Sequence, residues 1–187
     1  MITSVSSMAG AYEVGSSGLT MGSLAYTGQS AGNSSTNTWT NIPSILEGTS
    51  YVLTNSGNAT TSPLSVTTNI MGTGTFYVFH SDRSVDPQQM MMGNVMGRPS
   101  WLTDNYTDTG QNIDLTNGIP NGGLETFSVF SREITAGTSS VETNNNDPAT
   151  GGSFSMYGIA FSGSPVPEPS SALLGGIALL TLARRKR

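Results

Sequence analysis

His80 is the one histidine in the chain and cysteine is absent, so the side chains that most often carry nucleophilic and metal chemistry are nearly missing. A serine triad would have to be built on His80, and a site with several histidine ligands is ruled out. His80 stands two residues before Asp82, a spacing that can tune an imidazole, although a strand-end histidine beside a carboxylate more often serves structure. Carboxylates offer a second chemistry, because glycoside hydrolysis needs two of them. Asp104, Asp108, Asp114, Glu125 and Glu133 are available, and nothing in their spacing selects a pair. Aromatic faces offer a third. Trp101 and Tyr106, with Trp39 further off, can stack on sugar rings, while Asp104, Asn105 and Asp108 can bond hydroxyls or hold a calcium ion. The competing reading puts Trp101 and Leu102 in the core and the carboxylates on a solvated turn. That core reading is the preferred one, with Trp101 and Tyr106 as the candidate glycan contacts beside it, and no catalytic residue, metal site or cofactor is expected.

A fourth group lies at the end of the chain. Four of the seven basic residues are the last four, Arg184, Arg185, Lys186 and Arg187. Residues 1–165 hold 11 acidic and 3 basic groups, a net charge of −8, which repels phosphate backbones and argues against a nucleic-acid partner. Before the basic run lies Ala172–Ala183, uncharged and apolar all round. As a helix it would span roughly 18 Å, short of the ~30 Å hydrocarbon core, so its length argues against a stable solitary anchor. Cations flanking an apolar helix stay on the cytoplasmic side, which predicts the body outside. Preceding it, Pro165, Pro167 and Pro169 alternate with Val166 and Glu168, a pattern that excludes helix and favours the extended backbone a processing enzyme can draw into its cleft.

Positioning any of these groups falls to strands. Ser and Thr together number 51 and charged residues make up 10%, so the surface is solvated by hydroxyls and amides rather than ions. Strand-like stretches occur at Glu47–Thr54, Leu64–Thr68, Gly74–His80, Gln111–Leu115, Thr126–Ile134 and Phe154–Phe161. Turn signals separate them at Asn55–Asn58, Asn117-Gly118, Asn121–Gly123 and Asn144–Pro148. With no helical period before residue 170, the pattern predicts an all-β fold, an antiparallel β-sandwich or jelly roll. The expected organisation is a Gly/Ser-rich segment at 1–38 with one or two weak strands, a sandwich at 39–162, a Pro-rich linker at 163–171, an apolar helix at 172–183 and a basic cytoplasmic tail at 184–187. Residues 1–24 lack the basic start and unbroken apolar stretch of an export leader, which predicts a true start further upstream.

Val166-Pro167-Glu168-Pro169-Ser170-Ser171, then an apolar stretch, then Arg184–Arg187 at the terminus, resembles the PEP-CTERM sorting signal. That resemblance implies recognition of Pro167, Glu168 and Pro169 by an exosortase, a membrane-embedded protease or transpeptidase. It implies retention in the inner membrane before processing, then a place at the cell surface or in the extracellular matrix. The body also resembles a β-sandwich accessory module of secreted bacterial polysaccharide-active proteins. The residues that carry this are Ile42–Gly48, Phe76-Tyr77-Val78, Ser81-Asp82-Arg83, Pro99–Leu102, Tyr106–Gly110, Ser128–Arg132 and Met156–Gly158. An insertion between Arg83 and Pro99 holding Met90, Met91 and Met92 departs from the pattern and reads as an exposed loop. That second resemblance implies a carbohydrate-associated role and an extracellular polysaccharide as partner. In order of preference, the roles are a surface or matrix structural protein, a glycan-binding module and a polysaccharide hydrolase.

Overall fold

Thr75-Phe76-Tyr77-Val78-Phe79 is the most continuous run of β-formers, and the computed structural model places it in the middle of a seven-stranded sheet. The structure describes residues 1–8, 10–29, 36–56, 63–86, 97–119, 123–135, 138–145 and 156–164. Within them the strands are β1 (Ile2–Ser7), β2 (Glu13–Val14), β3 (Trp39–Thr40), β4 (Ser50–Leu53), β5 (Ser65–Met71), β6 (Thr73–Ser81), β7 (Thr107–Ile119), β8 (Gly123–Ile134), β9 (Thr138–Asn144) and β10 (Gly158–Ser164). A single-turn helix, α1 (Ser100–Asn105), precedes β7, and a 3-10 turn (Asp82–Val85) follows β6.

The large sheet has the order β2-β4-β10-β6-β8-β7-β3, the small one β1-β5-β9, and every pairing between these strands is antiparallel. The large sheet curls and the small sheet lies across it, closing one apolar core. The expected antiparallel β-sandwich is the fold observed. Alternation along β6 puts Phe76, Val78 and His80 on one face and Tyr77, Phe79 and Ser81 on the other. All six are buried, which explains why the sequence there shows no apolar-polar alternation. On the second face Trp39 stands edge-on to Phe79 at 5.4 Å and to Phe127 at 5.2 Å, with Leu115 opposite it on β7.

Several boundaries differ from the sequence reading. Strand β4 begins at Ser50, because Gly48 turns the chain with φ +75° and Thr49 bonds back to Leu46. The Asn117-Gly118 turn signal lies inside β7, which continues to Ile119. Strand β9, Thr-Ser-Ser-Val-Glu-Thr-Asn, carries a single aliphatic side chain and gives no pattern of its own; β5 supplies its ladder from Ser65 to Met71. The segment set apart by composition, 1–38, contains β1 and β2 and contributes buried Tyr12, Leu19, Ala25 and Tyr26, so the sandwich starts at Ile2 rather than Trp39. These residues are too widely spaced to show a period, yet each fills the common core. The expected helix at 172–183, the basic tail, the linker from Pro165 onward and Met90–Met92 lie outside the described residues.

Candidate functional site

The chain enters its terminal segment from the interior of the large sheet. Strand β10 lies between β4 and β6, pairing with β6 from Gly158 opposite Phe79 to Ser164 opposite Thr73, and with β4 at Ile159, Ala160 and Phe161. Near its end two glycines bring backbones together: a Cβ on Gly74 would meet Ser162 O at 2.1 Å, and one on Gly163 would meet Thr73 O at 2.2 Å. Gly74 also has φ +153°, a conformation L side chains rarely adopt. Beside this strand end is an open cleft of about 190 Å³ lined by Glu47–Ser50, Phe161–Gly163 and Met1. Pro167, Glu168 and Pro169 come three to five residues after the end of β10 and Arg184–Arg187 twenty to twenty-three after it, and all lie outside the described residues.

At the opposite end of β6 the sequence candidates His80 and Asp82 come together, but through a third residue. Arg98 Nη1 reaches His80 Nδ1 at 2.9 Å and donates to the carbonyls of His80 at 2.8 Å and Ser81 at 3.1 Å. Its Nη2 donates to Asp82 Oδ1 at 2.6 Å and Ser128 Oγ at 3.0 Å, and its guanidinium carbon stands 5.1 Å from the centre of the Phe130 ring. A guanidinium has donors only, so His80 accepts on Nδ1 and holds its proton on Nε2. Asp82 in turn accepts from Ser128 N and Oγ, and Ser81 Oγ donates to buried Glu125. Asp82 is therefore a ligand of Arg98 and of β8. Sequence reasoning missed Arg98, which sits in the segment read as an exposed insertion; its placement depends on β6 and β8 being neighbours.

The proposed stacking residues face inward to different degrees. Tyr106 is 7% exposed, and Trp39 is 1% exposed. Trp101 is half-buried, edge-on to Tyr106 and Tyr157 at 6.1 and 5.5 Å, with its indole N–H donating to Asn145 O at 2.7 Å. Burial pushes the Tyr106 phenol up to about 12, with the Arg132 guanidinium pulling part of the way back. Burial also raises Tyr157, whose hydroxyl pairs with Thr143 at 2.9 Å. Asp104 and Asp108 are exposed; Asp108 accepts from Gly110 N, and Asn105 donates to Trp101 O, so both close local turns. Asp114 and Glu133 are likewise committed to neighbours, Thr126 and Thr75.

A different polar surface lies on the small sheet. Ser6, Thr67 and Glu142 align across β1, β5 and β9, as do Ser4, Asn69 and Ser140 in the next row. Asn69 Nδ2 donates to Ser4 Oγ at 2.9 Å, and Ser65 Oγ donates to Glu142 at 2.5 Å. The outward residues of β5 alternate with buried Val66, Thr68 and Ile70.

An antiparallel β-sandwich followed by a proline-punctuated, apolar and then basic segment defines the class. Residues 165–187 match the PEP-CTERM protein-sorting motif, as the resemblance implied. The chain is an exported protein targeted to an exosortase and held in the membrane before processing. Among solved structures, a beta-glucuronidase from glycoside hydrolase family 2 shares the fold with a TM-score of 0.60 and 20% identity, over 85% of this chain and 14% of that one. This chain thus spans about one seventh of that enzyme's length. No curated protein matches in sequence. Among the described residues no helix is long and apolar enough to cross a membrane.

Proposed function

We propose that this protein is a non-enzymatic component of the bacterial surface or extracellular matrix, delivered by exosortase processing of its C-terminal segment. The observation that carries this reading is the position of the sorting motif, which begins at the residue after the last paired residue of the sandwich. The folded body is thereby a cargo with its own address. The engagement of His80 by Arg98 and the commitment of the carboxylates to local partners support a structural rather than a catalytic role for them.

In the protein's own host, fractionation with intact-mass analysis is expected to find a surface-associated product ending near Pro167–Ser171. Glu168→Ala is expected to leave the full-length chain in the inner membrane. A wild-type product still carrying Arg184–Arg187 in that membrane would sink the processing reading.

A glycan-binding role is the second reading, favoured by the small sheet's row of hydroxyls and amides and by a structural neighbour that is a beta-glucuronidase. Ser4, Thr67, Asn69 and Ser140 offer donors and acceptors on a sheet face with one carboxylate, a surface suited to the hydroxyls of an extracellular polysaccharide. Such a binder is expected to be retarded in gels containing the host polysaccharide, and Asn69→Lys to remove the retardation with the thermal midpoint kept. Unretarded migration of the wild-type protein would count against this role.

A further inference from the structure

Only Pro165 and Val166 separate Ser164, the last paired residue of β10, from Pro167 of the sorting motif. At no more than about 3.6 Å per residue, the motif begins within roughly 11 Å of the folded body. A protease or transpeptidase holds extended substrate on both sides of the bond it attacks, and the body stands where the upstream residues would enter.

The strand itself supplies more length at a defined place. From Ile159 to Phe161 it is paired on both sides, with β4 and with β6. From Ser162 to Ser164 it is paired with β6 alone. Phe161 is 1% exposed and anchors the doubly paired part, whereas Ser162 and Gly163 bury no apolar side chain. A strand held on one edge, without apolar anchors, opens locally far more readily than the core. The close approach of Gly74 to Ser162 and Gly163 depends on the absence of a Cβ at either glycine, so contact there is backbone against backbone.

Resting on the processing reading above, we infer that exosortase acts on a peeled form of the protein, in which Ser162, Gly163 and Ser164 have left β6 while Phe161 stays in the core. Peeling adds up to about 11 Å of extended chain between the body and Pro167. The partner this fits is a membrane-embedded processing enzyme that approaches the foot of the sandwich, beside the cleft of Glu47–Ser50. The singly paired end of β10 is a built-in extension of the linker.

The absence of native cysteine makes the test direct. Thr73→Cys with Ser164→Cys places a disulfide across directly opposed positions of β6 and β10 in the full-length chain, expressed in its own host. Intact mass reports both the crosslink and the processed product. The oxidised form is expected to be processed about tenfold more slowly than the reduced form. A Gly-Ser-Gly-Ser spacer inserted after Ser164 is expected to restore the rate of the crosslinked chain, because it supplies the missing length. Processing of the crosslinked chain at the native rate overturns the inference, and so does a spacer that leaves the crosslinked chain blocked. A native chain that is never processed instead removes the reading on which this one rests.

Discussion

Trp39→Ala is expected to remove about 3–5 kcal/mol of folding stability, the range for deleting a large aromatic side chain from a core. The indole is 1% exposed and wedged edge-on between Phe79 and Phe127. Gly158 closes the remaining side, where even a Cβ would meet Trp39 at 2.8 Å. No neighbouring strand can collapse into the cavity without moving β6 or β8. Trp39→Phe provides the sharper comparison. The Trp39 Nε1 atom is buried and makes no hydrogen bond among the described residues, so phenylalanine gives up ring contacts but also removes an unsatisfied donor. Its expected cost is less than half that of Trp39→Ala, because most of the ring volume is kept and the unpaired donor is gone. Urea denaturation of the two variants measures the difference, and near-equal losses would show that Trp39 does not pack as described.

Arg98→Met is expected to cost about 2–4 kcal/mol, less than the full loss for a broken buried ion pair because Asp82 is one-third exposed and can rehydrate. Arg98 is 13% exposed, and methionine would fill part of its volume against Phe130. What methionine cannot do is donate to the carbonyls of His80 and Ser81, to His80 Nδ1 and to Asp82 together. Arg98→Lys keeps the charge but not the fork, so it is expected to recover less than half of the loss. An urea midpoint for Arg98→Met within experimental error of wild type would show that this cluster contributes nothing to the fold.

Much of the sandwich was legible because its central strands are both β-branched and aromatic. Phe76–Phe79, Phe127–Phe130 and Ile159–Phe161 stand out from a chain otherwise dominated by Ser, Thr, Gly and Asn. The peripheral strands were less legible. Strand β9 contributes one buried valine and is ordered by its partner β5, and the core residues of 1–38, namely Ile2, Tyr12, Leu19, Ala25 and Tyr26, are scattered with no helical or strand period. The sorting segment was legible for a different reason: proline spacing, apolarity and terminal charge are local properties that need no tertiary partner. The cluster at His80 was half legible. Its histidine and aspartate are two residues apart in sequence, but the arginine that joins them comes from the connection after β6, eighteen residues beyond His80.

The direction of β10 has a mechanical consequence. Load applied along the chain at Ser164, with the far end of the sandwich resisting, acts parallel to the β10 axis and shears the β6 ladder, so its bonds share the force at once. Lifting the same strand sideways opens those bonds one after another. A protein tethered through its C-terminal segment would thus withstand flow drag along the tether while yielding to an enzyme that pulls the strand end away from the sheet.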